Sequence, residues 1–269
     1  MRVSPRGGQW YNWYAFVDGM GRNGVKTIGL IGGMSWESTV TYYQVVNQVV
    51  KRKLGGLHSA KCVLVSVDFE EIEACQAKGE WGAAAAILAR AAQSLEMAGA
   101  NCVVICTNTM HKVAGEVQRA VSIPVLHIAE MTADVLLARG IARVGLLGTK
   151  YTMEQDFYKS RLVERGLAVL IPETAERARL NDIIFGELCL GKIEEESRRF
   201  VLGLVDGLGR SGAEGVILGC TEIGLLLRQR DTEVPLFDTA LIHARGAALY
   251  ALGKTSSGHT SIRIFDANG

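Results

Sequence analysis

AGANCVVICTNT at 98–109 and SGAEGVILGCTE at 211–222 decide the fold. Each opens where a helix ends in glycine, passes through a short apolar run and closes on small polar residues. Runs such as CVVI and GVIL are apolar at every position, which suits strands covered on both faces, as in a parallel sheet. Setting Gly99 against Gly212 pairs Thr107 with Cys220, Asn108 with Thr221 and Thr109 with Glu222.

The repeat extends outward. Upstream, TIGLIGG at 27–33 matches RVGLLGT at 143–149, each a buried strand running into a glycine turn. Downstream, IPVLHI at 123–128 matches VPLFDT at 234–239, each followed by an Ala-rich helical stretch. Helix-length segments such as 79–98 and 194–211 lie between, so the pattern is βαβ and the fold class α/β. Right-handed crossovers place each polar turn at the carboxyl edge of its sheet. Ligands of open α/β sheets bind at that edge. The expected architecture is two similar halves with parallel sheets, their carboxyl edges facing across a cleft. The first half spans 26–128 and is completed by 237–252; the second spans 129–236. Residues 1–25 form an N-terminal extension of Gly, Arg and aromatics without the apolar core of a signal peptide. Residues 253–269 form a Ser/Gly-rich tail; its SIRIF segment has no assigned role.

Composition narrows the function. The 269 residues carry a net charge of +1 with both signs mixed along the chain, which excludes the basic stripe of a nucleic-acid binder. No apolar stretch reaches the ~18–20 residues that span a bilayer. The six cysteines (Cys62, Cys75, Cys102, Cys106, Cys189 and Cys220) form no CxxC pair, so they read as reduced thiols of a cytoplasmic protein. Without HExxH, DxDxG or a His/Asp cluster, no metal is expected. GLIGG lacks the GxGxxG spacing of a dinucleotide loop, and no lysine sits in a context that marks a PLP Schiff base.

The chemistry gathers at the paired turns. A polar side chain leaving a buried strand reaches a ligand at the sheet edge, and the backbone N–H groups of the next turn can hold a carboxylate. A thiol there is open to tuning by the helix that follows. Read alone, Cys220 is also a small buried hydrophobe, and Thr107 and Thr221 are caps. The repeat is what sets hydroxyl and thiol at equivalent places. His58 and His111 read as structural residues.

IGLIGGMSWESTVTYY at 28–43, LGGLHSAKCVLVSVDF at 54–69, CTNTMH at 106–111 and GCTE at 219–222 resemble the aspartate/glutamate racemase family, in particular its broad-specificity branch. The resemblance runs from Lys26 to about Leu252. It implies two pseudo-symmetric three-layer α/β domains with the active site between them, a homodimer, and a cofactor-independent, PLP-independent isomerase acting on a small amino acid, aspartate and/or glutamate. It implies one acid/base group on each face of the substrate, at Thr107 and Cys220. The family carries cysteine at both places, so Thr107 is a departure. A threonine hydroxyl is a far weaker acid than a thiol, whose reference pKa is ~8.5. An L-enantiomer bias is the expected consequence. Cys106, one residue earlier, should face away in an alternating strand. Met34, Gln76, Asn108, Thr109, Thr221 and Glu222 are expected to hold the substrate, with Ser35 and Thr39 just beyond. Two alternatives stand: a decarboxylase of the same superfamily with one catalytic cysteine, and a noncatalytic amino-acid-binding protein.

Overall fold

The computed structural model describes residues 24–253; the stretch 1–23 and the tail 254–269, with its SIRIF segment, lie outside the described residues. One sheet comprises β1 (Ile28–Gly32), β2 (Cys62–Ser66), β3 (Cys102–Ile105) and β4 (Val125–Leu126), in the order β2-β1-β3-β4. The other comprises β5 (Arg143–Gly148), β6 (Ala168–Leu170), β7 (Val216–Gly219) and β8 (Leu236–Asp238), in the order β6-β5-β7-β8. Every pairing is parallel. The two sheets therefore share one strand order, and the repeated segments occupy the same places in both. β8 pairs Phe237 with Ile217 and Asp238 with Leu218, so these two residues stay with the second sheet and the chain rejoins the first half just after them.

The helices are α1 (Trp36–Leu54), α2 (Phe69–Lys78), α3 (Trp81–Met97), α4 (Ala114–Arg119), α5 (Ile128–Ala138), α6 (Lys150–Glu154), α7 (Asp156–Glu164), α8 (Thr174–Gly186), α9 (Glu195–Arg210), α10 (Ile223–Leu226) and α11 (Thr239–Ala251). They cover both faces of each sheet, which is why β1 is buried at all five positions. Ile28 and Leu30 enter one core with α1 and α11, while Ile31 enters another with α2, α3 and α4. α9 shows how the sequence encodes such a layer: Val201, Leu204, Val205 and Leu208 recur at helical spacing and bury one stripe. Close approach also matters. A Cβ on Gly29 would sit 3.1 Å from Leu95 of α3, and one on Gly145, its counterpart in the repeat, 2.9 Å from Leu208 of α9.

The chain crosses between the halves twice. After β4, α5 buries Ile128, Ala129, Ala133 and Leu136 in the second-half core. After β8, α11 returns and buries Ala240, Ala244, Ala247, Ala248 and Ala251 against Tyr42, Val45 and Val46 of α1. Alanine or glycine at six of the ten buried positions of α11 lets these backbones approach closely. Among the described residues, no helix is long and apolar enough to cross a membrane.

Candidate active site

Both glycine turns and both polar turns leave the carboxyl ends of β1, β3, β5 and β7. Gly33 makes the first turn possible: its φ is +94° and a Cβ would lie 2.0 Å from the Val67 carbonyl oxygen. Ser35 then caps α1 by accepting from the Ser38 N–H, and Thr39 accepts from the Gly33 N–H at 2.9 Å. In the other half Thr149 caps α6 by accepting from the Thr152 N–H. Ser35 and Ser38 thus play at the start of α1 the capping part that Thr149 and Thr152 play at the start of α6.

These capping hydroxyls bond across the cleft, each to the turn of the opposite half. The Ser35 and Ser38 hydroxyls donate to Glu222 Oε1 at 2.8 and 2.7 Å. The Thr149 hydroxyl lies 3.1 Å from that of Thr109, the residue that the repeat pairs with Glu222. The same pseudo-symmetric contact is therefore made twice, with a carboxylate on one side and a hydroxyl on the other.

Around the thiol, Cys220 Sγ donates to Glu222 Oε2 at 2.9 Å, and the Thr221 hydroxyl reaches the same oxygen at 2.9 Å. The Ser38 hydroxyl also lies 2.6 Å from that of Thr221 and 3.3 Å from that of Ser35, so Ser38 and Thr221, with one proton each, donate in only two of the four contacts they make together. Glu222 is only 4% exposed, and the protein's own donors take up its oxygens. Burial, the Glu222 charge and the nearby Cys189 all hold the Cys220 pKa well above the ordinary thiol value.

Around the hydroxyl, the Thr107 carbonyl accepts from His111 Nδ1 at 2.8 Å, and His111 Nε2 accepts from the Ile128 N–H at the crossing to α5. The amide of Asn108 donates to Thr239 at 2.9 Å, and Thr239 donates to the Leu218 carbonyl of β7 at 2.8 Å. This chain ties the first-half turn to the strand that carries Cys220. The other Asn108 atom, Oδ1, is buried without a partner and is an acceptor left for a ligand donor. Cys106 packs in the core with Tyr42 instead, and burial pushes its thiol up.

Thr107, Asn108, Thr109, Met34, Gln76, Cys220 and Glu222 line one cleft. Of the residues expected at the site, Thr221 alone does not line it; its hydroxyl serves Glu222 instead. Gln76 reaches the cleft from α2 and contacts the Met110 sulfur at 3.1 Å. Phe69, Thr149, Ile184, Phe185 and Cys189 complete the walls and were not singled out in the sequence. Thr149 had a signal, because it ends the repeat unit that begins at Arg143. Phe185 and Cys189 lie at the end of α8 and in the 3-10 turn Leu188–Leu190, where no motif marks them. His58 is exposed in the loop before β2. No group of three His, Cys, Asp or Glu among the described residues is placed to hold a metal.

The family model for Asp/Glu/hydantoin racemase matches residues 31–247, nearly everything that builds this cleft. The chain belongs to that family. A crystal structure from Yersinia pestis, described as a candidate Asp/Glu racemase, is 54% identical, with a TM-score of 0.79 over 84% of this chain and 99% of that one. An aspartate racemase homologue from Pyrococcus horikoshii is 38% identical, with a TM-score of 0.73 over 84% of this chain and 99% of that one. The broad specificity amino-acid racemase RacX of Bacillus subtilis is 25% identical over 57% of this chain, and the match spans 66% of RacX, just under two thirds of its length. The two parallel four-stranded sheets with flanking helices are the two α/β domains of these racemase structures.

Proposed function

We propose that this racemase-family protein interconverts the enantiomers of aspartate and/or glutamate, without PLP or another cofactor, by removing the α-proton on one face and returning one on the other. The observation that carries the reading is the placement of Thr107 and Cys220 on equivalent turns of two halves that share one cleft. In this reading Cys220 exchanges its thiol proton on one side. Thr107 relays a proton on the other. Asn108 Oδ1 accepts from the substrate ammonium, which satisfies its buried orphan lone pair. Met34, Gln76 and Thr109 complete the substrate shell. Residues 26–128 with the C-terminal helix make one domain and 129–236, extended through β8, the other. The protein works as a cytoplasmic homodimer on a free amino acid.

Thr107 makes the pair unequal. A hydroxyl without a partner base is a poor acceptor of the α-proton, so turnover favours the enantiomer whose proton goes to Cys220, and the L-enantiomer is the proposed one. The test is α-hydrogen exchange in deuterated water over a panel of L- and D-amino acids, after exhaustive chelation and PLP removal. Exchange with aspartate or glutamate is the expected result. Carbon dioxide release would point to a decarboxylase, and binding without exchange to a sensor. Loss of activity on chelation, restored by one metal, would overturn the cofactor-free part.

A further inference from the structure

We propose that Ser35 and Ser38 are positioning residues for the Cys220 thiol, which they control across the cleft through the carboxylate of Glu222. The proposal rests on Cys220 being the second-half acid/base group, and it gives Glu222 a role other than touching substrate. The geometry has three parts. The two serines belong to the N-terminus of α1 in the first half, whereas Glu222 and Cys220 belong to the second-half turn. Both serine hydroxyls reach one carboxylate oxygen, at 2.8 and 2.7 Å, and the thiol reaches the other at 2.9 Å. All four residues are buried, so water does not share these contacts.

A carboxylate beside a thiol opposes its ionisation, and hydroxyl donors that bond the carboxylate spread and offset that charge. The first half therefore moderates how strongly Glu222 holds the proton on Cys220. Whether Cys220 takes the α-proton, when a C–H bond breaks and an S–H bond forms, or gives one to the substrate carbanion, when an S–H bond breaks and a C–H bond forms, it is a thiolate beside Glu222 at one end of the step. The serine donors make that doubly charged arrangement tolerable, and they do so only while α1 and the second-half turn are together. Other titratable groups near this pair include Cys189 of the 3-10 turn and Tyr42 of α1, both raised by burial, with Glu37 of α1 acting on Cys189 and Asp238 of β8 acting on Tyr42.

The test is the pH dependence of Cys220 alkylation by iodoacetamide in the full chain, read by mass spectrometry on the peptide that contains it, because Cys189 lines the same cleft. Glu222→Gln removes the opposing charge, and its alkylation midpoint should fall by about one pH unit or more. Ser35→Ala/Ser38→Ala leaves the charge without its donors, and its midpoint should rise by about half a unit or more. The pH profile of substrate α-hydrogen exchange should shift the same way as the alkylation midpoint in each variant, down for Glu222→Gln and up for Ser35→Ala/Ser38→Ala. Ser35→Thr keeps both the hydroxyl and the helix cap, and should stay near the parent protein in both assays. A simple loosening of the cleft would expose the thiol and lower the midpoint in every variant. Midpoints that move together, or do not move, overturn the proposal. If Glu222→Gln does not fold, the serine variants decide alone. Absence of exchange in the parent protein overturns the racemase reading, while the alkylation midpoints still decide the serine–carboxylate link.

Discussion

The first-half turn Thr107-Asn108-Thr109 and the second-half turn Cys220-Thr221-Glu222 sit at the same place in sheets of the same strand order, yet they carry different chemistry. The second turn holds a thiol against a buried carboxylate. The first holds a hydroxyl with its carbonyl fixed by a neutral imidazole, and the residue matching Glu222 is Thr109. One backbone design thus carries a thiol–carboxylate pair at one turn and a hydroxyl at the other. The asymmetry is in the side chains, so substitutions can move it without altering the fold.

The largest effect is expected from Cys220→Ala. It removes the group proposed to exchange the α-proton, so exchange should drop by about 10²–10⁴-fold. Circular dichroism and the melting profile should stay close to the parent's, because a thiol is little larger than a methyl group. Full exchange with both enantiomers in this variant would break the comparison. Thr107→Cys sharpens it from the other side. By giving both turns a thiol, it should raise turnover of the D-enantiomer more than that of the L-enantiomer. An equal change in both would show that Thr107 does not set the bias.

Two smaller effects test how the halves are joined. Thr239→Val strands the Asn108 amide and the Leu218 carbonyl, and an unmet buried polar group costs about 1–3 kcal/mol. Denaturant unfolding should register that loss. His111 makes T-shaped ring contacts with His127 and His243 at the crossings, with centroids 4.8 and 5.4 Å apart. Burial pushes their pKa values down to about 4, about 2 and about 3, from 6.5. A depressed value means that the unfolded chain takes up protons first. The stability they permit is present above pH 6.5 and is lost as pH falls toward the folded values. His127→Asn keeps a side chain able to cap α5, so its melting temperature should fall less between about pH 7 and pH 5 than the parent's. Equal falls would take His127 out of the acid response.

The architecture was legible because strands covered on both faces are written as unbroken apolar runs, and because CVVI and GVIL lead into turns that can be set against each other. The placement of Thr107 and Cys220 on one cleft follows from that alignment. The network behind Cys220 was not legible. Ser35 and Ser38 meet Glu222 across 187 and 184 positions of sequence, and only the packing of α1 against the second-half turn brings them together. Glu222, read as a substrate contact from its place after the thiol, has its oxygens occupied by these donors. The histidine cluster was hidden for a similar reason. Each histidine stands alone in sequence, and the two crossings between halves assemble the three.

The two-sided site is tested most directly by a crystal structure with L-aspartate or L-glutamate bound. The expected result is the α-carbon held between the Thr107 hydroxyl on one face and the Cys220 thiol on the other, with the ammonium within hydrogen-bond distance of Asn108 Oδ1. An α-carbon approached by both groups from the same face, or a Thr107 hydroxyl turned out of the cleft, would contradict it.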